Sequence, residues 1–275
     1  MKNKPIIIVA GEPNSIFFEI FFKAIKFKKY KSPLILICCK KIFTNQMKKN
    51  KFKKKFKILE INKLRNYKLS NNEINLIDVE CKRSNKKMIT KLNNEYLKNS
   101  FNLALELLKV KFSHKLINGP VNKKSFLQKK FLGITEYISS GYKKSKTGML
   151  IYNKNLSVCP LTTHLPIKLV SRYVTRKLVE EKIRVIDKFY IQNLKFKPKI
   201  GVTGLNPHCE SILKINEDDK IISKAVLSQK VKGIKVTGPY SADTIFLKKN
   251  RIKFDVILGM YHDQVLTPAK ALFEF

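Results

Sequence analysis

Three of the four histidines in this chain close the same kind of segment. His164 ends Leu156-Ser-Val-Cys-Pro-Leu-Thr-Thr-His, and His208 ends Ile200-Gly-Val-Thr-Gly-Leu-Asn-Pro-His. His262 ends Val256-Ile-Leu-Gly-Met-Tyr-His and is followed by Asp263 and Gln264. Each therefore sits just past a short β-branched run that reads as a strand. In open α/β sheets the carboxyl ends of the strands lie along one edge, where ligands bind. Three imidazoles delivered there would ligate a divalent metal and leave positions open for substrate, as catalytic sites require. Their spacing is too wide for a local metal motif, so the inference rests on the fold. From placement alone, a shared metal site and three ordinary loop histidines both stand. His114 precedes its strand and belongs at the opposite edge, as a structural or exposed residue.

The elements that must position these residues follow an alternating pattern. Strand candidates are Pro5–Val9, Leu34–Ile37, Leu116–Ile117, Met149–Tyr152, Leu156–Leu161, Ile200–Thr203, Ile234–Val236 and Val256–Met260. Between them, apolar residues recur at three- and four-residue steps over about Met88 to Val110 and Arg176 to Ile191. A third helix fits Asp218 to Lys230. This is the signature of α/β folding with a largely parallel sheet. No internal repeat or Gly/Ser linker marks a domain boundary.

Weaker signals share the strand-end grammar. Gly11-Glu-Pro-Asn-Ser15 follows the first strand and opens a helix, so it reads as a strand–turn–helix connection or an anion contact. Asn118-Gly-Pro-Val-Asn-Lys123 follows another strand. Gly133-Ile-Thr-Glu-Tyr137 and Gly238-Pro-Tyr-Ser-Ala-Asp-Thr244 are polar turns, in which Thr135 and Ser241 would also serve as helix caps. No nucleophile elbow, Walker loop, HExxH or dinucleotide fingerprint is present, which removes most common hydrolases and kinases.

Composition bounds the partners. The 275 residues carry 57 Lys+Arg against 20 Asp+Glu, a formal charge of +37. Lysine supplies nearly all of it, whereas nucleic-acid readers usually also draw on arginine's bidentate fork. Lys, Asn, Ile and Phe are abundant together, as codon bias in an A+T-rich genome produces, so no specific nucleic-acid partner is expected. The run Lys48 to Lys57 reads as a solvated surface segment. No stretch reaches the roughly 18–20 uninterrupted apolar residues of a membrane span. Five cysteines form no CxxC pair, Cys38 and Cys39 read as small core residues, and a reducing cytoplasm is expected.

Taken as a collinear set, these segments resemble the 4-hydroxythreonine-4-phosphate dehydrogenase family of pyridoxal phosphate biosynthesis. The resemblance runs through Gly11-Glu-Pro, Gly119-Pro-Val-Asn-Lys, Gly133-Ile-Thr-Glu-Tyr, Leu161-Thr-Thr-His-Leu-Pro, Gly204-Leu-Asn-Pro-His, Gly238-Pro-Tyr-Ser-Ala-Asp-Thr and Met260-Tyr-His-Asp-Gln. It implies two α/β/α lobes around a cleft, similar to isocitrate and isopropylmalate dehydrogenases, with lobes of roughly 1–125 and 126–275. It also implies a homodimer with the active site at the interface, where His164, His208 and His262 ligate a divalent metal (zinc, cobalt or magnesium). The implied reaction oxidises the 3-hydroxyl of 4-phosphohydroxy-threonine with NAD, then releases carbon dioxide to give 3-amino-2-oxopropyl phosphate. Carried over by motif, Lys270 reaches the substrate phosphate and Thr135 hydrogen-bonds the substrate. Lys270 and Asp243 form the catalytic set, Asp243 by orienting a metal-site histidine or managing a proton.

Three departures qualify the likeness. Ile134 stands where the family commonly has a substrate-contacting histidine. The first turn, with Asn14, Ser15, Phe17 and Phe18, is bulkier than the usual Gly-Asp-Pro-Ala-Gly-Ile-Gly. The family continues past the position of Lys270 through a segment with further substrate and cofactor contacts, so a C-terminally shortened copy or a fragment is expected. A sister dehydrogenase acting on another phosphorylated hydroxy acid, and a non-catalytic homologue, are the competing readings.

Overall fold

Short Ile-, Leu- and Val-rich runs become the buried central strands, because parallel pairing with helices on both faces leaves neither side of such a strand to solvent. The computed structural model describes residues 3–81, 89–127, 130–131, 133–141, 147–210 and 216–274. The chain divides into two compact units, Met1–Lys143 and Lys144–Phe275.

In the first unit the strands are β1 (Ile6–Val9), β2 (Leu34–Cys38), β3 (Phe56–Ile58), β4 (Ile74–Asp78) and β5 (Lys115–Asn118). They form one sheet in the order β3-β4-β2-β1-β5, with every pair parallel. Helices α1 (Phe17–Phe27) and α2 (Lys40–Lys49) lie with Ile8, Leu36, Cys38 and Leu76 on one face. Helix α3 (Ile89–Lys109) presents Tyr96, Leu97, Phe101 and Ala104 to Ile7, Val9, Ile35 and Ile37 on the other. The period-two alternation of strand side chains thus feeds two cores. Short helices α4 (Lys123–Phe126) and α5 (Ile134–Ser140) follow β5.

The second unit holds β6 (Ser157–Thr162), β7 (Ile200–Thr203), β8 (Val236–Tyr240) and β9 (Val256–Tyr261), all parallel, in the order β6-β9-β7-β8. Its helices are α6 (Ile167–Tyr173), α7 (Arg176–Phe189), α8 (Lys224–Val231), α9 (Lys248–Arg251) and α10 (His262–Phe273). Val179, Ile183 and Ile186 of α7 and Ala225 and Val226 of α8 pack on Leu161, Val202, Leu258 and Met260. On the opposite face Val265, Leu266 and Ala269 of α10 pack on Val158 and Ile257. The expected α/β class with parallel sheets is therefore the observed one.

Several local expectations need correction. Met149–Tyr152 is not a sheet strand; Ile151 makes only an isolated antiparallel bridge to Val158. The Ser157 hydroxyl explains this, donating to the Asn153 carbonyl at 3.2 Å and accepting from the Asn153 N–H at 3.2 Å, which folds the chain back at once. Strand β4 escapes sequence reading because Asn75 interrupts its apolar run, yet Asn75 is buried and its amide donates to the Leu34 and Ser70 carbonyls at 2.9 Å each. Strand β3 lies at the end of the lysine run, a charged edge strand of the kind that discourages sheet-to-sheet pairing. That run is not wholly solvated either, since Phe52 is buried and stacks on Phe22 with centroids 4.3 Å apart. The helix expected from Asp218 begins as a π-turn, Asp218–Ser223, before α8, and α7 continues into a second π-turn, Tyr190–Leu194. Cys38 and Cys39 are core residues, as expected, and all five cysteines are free.

Ile183 shows no exposed surface, at the centre of the α7 contact with the second sheet. Ile183→Ala removes buried methyl groups where the rigid sheet cannot collapse, so a loss of about 2–5 kcal/mol is expected in urea unfolding. A loss below about 1 kcal/mol would contradict this packing.

Candidate functional site at the carboxyl edge of the second sheet

The sheet order sets the histidines side by side. His262 directly follows β9, the strand flanked by β6 and β7, and His164 and His208 follow those two neighbours. Adjacent strands lie about 4.8 Å apart, so the loops after β6 and β7 need only turn inward to converge on His262. His164 does so: its ring centroid lies 5.8 Å from that of His262, the planes tilted by 34°. The Thr162 hydroxyl steadies this approach by donating to the Met260 carbonyl at 2.8 Å, across the β6–β9 pair.

His208 faces the other way along the edge. Its Nδ1 lies 3.9 Å from Oδ2 of Asp243, an ion-pair distance rather than a hydrogen bond. Asp243 follows β8, the neighbour of β7, and accepts a short hydrogen bond from the Ser241 hydroxyl. The four sequence-predicted residues therefore stand as two pairs, His164 with His262 and His208 with Asp243. Among the described residues, no group of three His, Cys, Asp or Glu closes on one point.

Two of the three histidines adopt left-handed backbone, His164 with φ 52° and His208 with φ 57°, and Cys209 follows with φ 63°. Non-glycine residues pay of order 1 kcal/mol or more for this conformation, and such strain concentrates at functional sites. Burial, with the Asp218 carboxylate adding to it, pushes the Cys209 thiol up, and its Sγ packs over Gly204. Gly204 must be glycine: a Cβ there would lie 2.6 Å from both Cys209 Sγ and Asp218 Oδ1.

The donor chemistry fits a divalent cation. A ring centroid sits about 3.2 Å from a metal bound at its nitrogen, so two rings on one ion stand roughly 5–6 Å apart, as His164 and His262 do. His262 Nδ1 is engaged by Asp263 Oδ1 at 2.6 Å, which leaves Nε2 for a metal and matches the carboxylate–histidine pattern behind many metal ligands.

A side chain that sequence reasoning did not single out ties the edge together. Gln264 Oε1 accepts from the Thr203 hydroxyl at 2.8 Å and the Met260 N–H at 2.7 Å, and its Nε2 donates to the Gly204 carbonyl at 2.8 Å. It thereby joins the end of β7, the end of β9 and the start of α10. The only signal was its place two residues after His262.

The other predicted residues lie further along α10 or on other elements. Lys270 is exposed in the last turn of α10, eight residues and hence about 12 Å along the helix from His262. Thr135 belongs to the first unit, exposed in the first turn of α5. It is not the cap of that helix, because Gly133 occupies the cap position and accepts the Tyr137 N–H at 3.1 Å. Ser241 spends its hydroxyl on Asp243 and caps nothing with it. Ile134 packs into the apolar cluster around α3. At the carboxyl edge of the first sheet, the turns after β1 and β5 interlock: Glu12 N–H donates to the Pro120 carbonyl at 2.9 Å, and Gly11, at φ 77°, is required because a Cβ would lie 2.3 Å from that oxygen. His114 is exposed just before β5, 2.9 Å from the Lys4 amine, at the opposite edge as expected.

Gln264→Leu keeps the volume but strands the Met260 N–H, the Thr203 hydroxyl and the Gly204 carbonyl. A loss of at least about 2 kcal/mol is expected in urea unfolding. An unchanged midpoint would show that the clamp does not hold the edge.

With this geometry in view, comparison with known proteins is informative. Residues 29–274 match the family model described as pyridoxal phosphate biosynthetic protein PdxA. The chain is 38% identical to 4-hydroxythreonine-4-phosphate dehydrogenase from Aquifex aeolicus, over 58% of this chain and 50% of that relative. It is 33% identical to the enzyme of the same name from Sulfurihydrogenibium, over 97% of this chain and 83% of the relative. The crystal structure of 4-hydroxythreonine-4-phosphate dehydrogenase from Klebsiella pneumoniae shares the fold, with a TM-score of 0.80 at 24% identity over 98% of this chain and 85% of that one. On the family match and the near full-length relative, this chain belongs to the PdxA family of pyridoxal phosphate biosynthetic proteins.

Proposed function

We propose that this chain is a metal-requiring, NAD-dependent dehydrogenase that oxidises 4-phosphohydroxy-L-threonine at its 3-hydroxyl and decarboxylates the product to 3-amino-2-oxopropyl phosphate. The observation that carries this reading is the arrival of His164, His208 and His262 on neighbouring strand ends of a chain that belongs to this family. In this reading His164, His208 and His262 hold the cation. When bound, that cation supplies a Lewis acid for the substrate hydroxyl and for the negative charge left by decarboxylation.

The remaining steps belong to side chains and substrate. NAD, when bound, would supply the acceptor for the C3 hydride, and the hydroxyl proton would pass to a nearby base. In this reading Asp243, whose Oδ2 lies 3.9 Å from His208 Nδ1 and which accepts from the Ser241 hydroxyl, orients that imidazole and takes or returns a proton. The bond to the carboxylate then breaks, carbon dioxide leaves, and the α-carbon gains a proton. Lys270, removed from the histidines along α10, suits the phosphate end of the substrate rather than the reacting carbon, and Thr135 donates a hydrogen bond to the substrate. The chain has no glycine-rich dinucleotide fingerprint.

The same reading takes the two units as α/β/α lobes flanking a cleft, as in isocitrate and isopropylmalate dehydrogenases. It further takes the enzyme as a cytoplasmic homodimer whose site is completed at the interface. No described helix is long and apolar enough to cross a membrane. One observation favours a second substrate: Ile134 is turned into apolar packing where the family commonly places a substrate-contacting histidine. Another phosphorylated hydroxy acid, such as a four-carbon sugar-acid phosphate, would be the substrate of such a sister enzyme.

NADH formation at 340 nm from 4-phosphohydroxy-L-threonine, with added zinc or cobalt, tests both readings. Metal-dependent turnover that falls at least about 100-fold in His208→Ala is expected. Turnover indifferent to metal, or unchanged in His208→Ala, would overturn the metal reading. Preference for the sugar-acid phosphate would select the sister activity.

A further inference from the structure

Asp218 is fully buried, and its carboxylate is held by N–H donors of one loop. A buried carboxylate is expensive unless its oxygens are satisfied, and here they are satisfied by a single loop. Oδ1 accepts the Leu205 N–H at 2.6 Å, and Oδ2 accepts the Asn206 N–H at 3.2 Å and the Asn206 side-chain amide at 2.8 Å. The adjacent Glu217 carboxylate accepts from the same Asn206 amide at 3.1 Å. On the other side, the Asp218 N–H donates to Asn216 Oδ1 at 2.9 Å, fixing the carboxylate's own backbone.

Everything Asp218 holds lies directly before His208. With Leu205 and Asn206 pinned, Pro207 follows with its φ locked by the ring. His208 and Cys209 then enter the left-handed region, and the Cys209 N–H closes the turn on the Asn206 carbonyl at 3.1 Å. Left-handed backbone at two successive non-glycine residues persists only when surrounding contacts over-determine it. Among the described residues, Leu205 and Asn206 are held by the Asp218 turn, while Gly204 ahead of them is held by Gln264 and by the Tyr240 carbonyl.

We propose that Asp218 is the positioning residue of His208, fixing the backbone of the loop after β7 from which this imidazole reaches the metal. The inference rests on the reading of His208 as a metal ligand. Asp218 itself touches neither His208 nor, in this account, the substrate. Its carboxylate matters because it accepts on both oxygens: in Asp218→Asn one acceptor becomes an NH2 group facing N–H donors, and the turn must open.

Cobalt(II) titration of the whole chain, read by its visible absorption bands, tests this. Far-UV circular dichroism and melting temperature are followed in parallel on the wild type, Asp218→Asn, Asn206→Ala, His208→Ala and Val226→Ala. Val226 lies in the core of the same unit, so its truncation lowers melting temperature without touching the loop. The expected result is cobalt affinity at least about 10-fold weaker in Asp218→Asn, with altered bands. Asn206→Ala, which keeps both backbone bonds, should lose about threefold or more, and Val226→Ala should bind as wild type. If Asp218→Asn does not fold, Asn206→Ala decides. Wild-type affinity and bands in the folded Asp218 and Asn206 variants, with binding still lost in His208→Ala, would overturn the positioning role and leave the metal reading intact. Cobalt binding that His208→Ala leaves unchanged would overturn both. A loss in Val226→Ala equal to that in Asp218→Asn would show only a stability effect and overturn the proposal.

Discussion

The parallel pairing of β6, β9 and β7 is the constraint on which the site depends. Parallel strands cannot be joined by hairpins, so each must return through a crossover, and every strand then ends at the same edge. Once these three lie adjacent, their following residues share a space about 10 Å wide. Three histidines separated widely in sequence are thereby delivered to one edge, His164 beside His262 and His208 beside Asp243. The same constraint explains why Asp243, which follows β8, meets His208 and not His262: β8 flanks β7 at the far side of the sheet.

Placing strand ends side by side does not aim side chains, and polar clamps supply the aim. Gln264 spans β7, β9 and α10 with three hydrogen bonds, and the Asp218 turn spans the loop after β7 with three more. Their carboxamide and carboxylate geometry fixes direction, whereas the apolar contacts beneath, from Val202, Leu258 and Met260, fix only distance. The left-handed turns at His164 and His208 show where that directional control is exerted against backbone preference. In a chain of formal charge +37, the proposed cation site would also work against a positive field. Asp243, Asp263 and the Asp218 turn place several of the scarce acids at or behind this one edge, which lowers that cost.

Much of this was legible in the sequence. The strands that carry the three histidines, the long helix from Ile89 and the opposite-edge position of His114 all follow from periodicity and from residues just past β-branched runs. What escaped has physical causes. Asn75 and the lysines around Phe56 disguise strands, because burial of a polar side chain or exposure of an edge is settled by neighbours distant in sequence. Asp218 reads in sequence as a helix start; its partners are backbone amides in a loop before the turn, and nothing in residue type announces that contact. The pairing of histidines as two and two, rather than three together, likewise depends on loop conformation. The family resemblance names the residues but does not supply their distances.

The central claim is that three imidazoles from one sheet edge hold a single cation. X-ray absorption fine structure at the zinc edge of the zinc-loaded protein tests it most directly. The account predicts three imidazole nitrogens at about 2.0–2.1 Å with oxygen completing the shell. A sulfur shell at about 2.3 Å, or oxygen alone with no imidazole scattering, would contradict it.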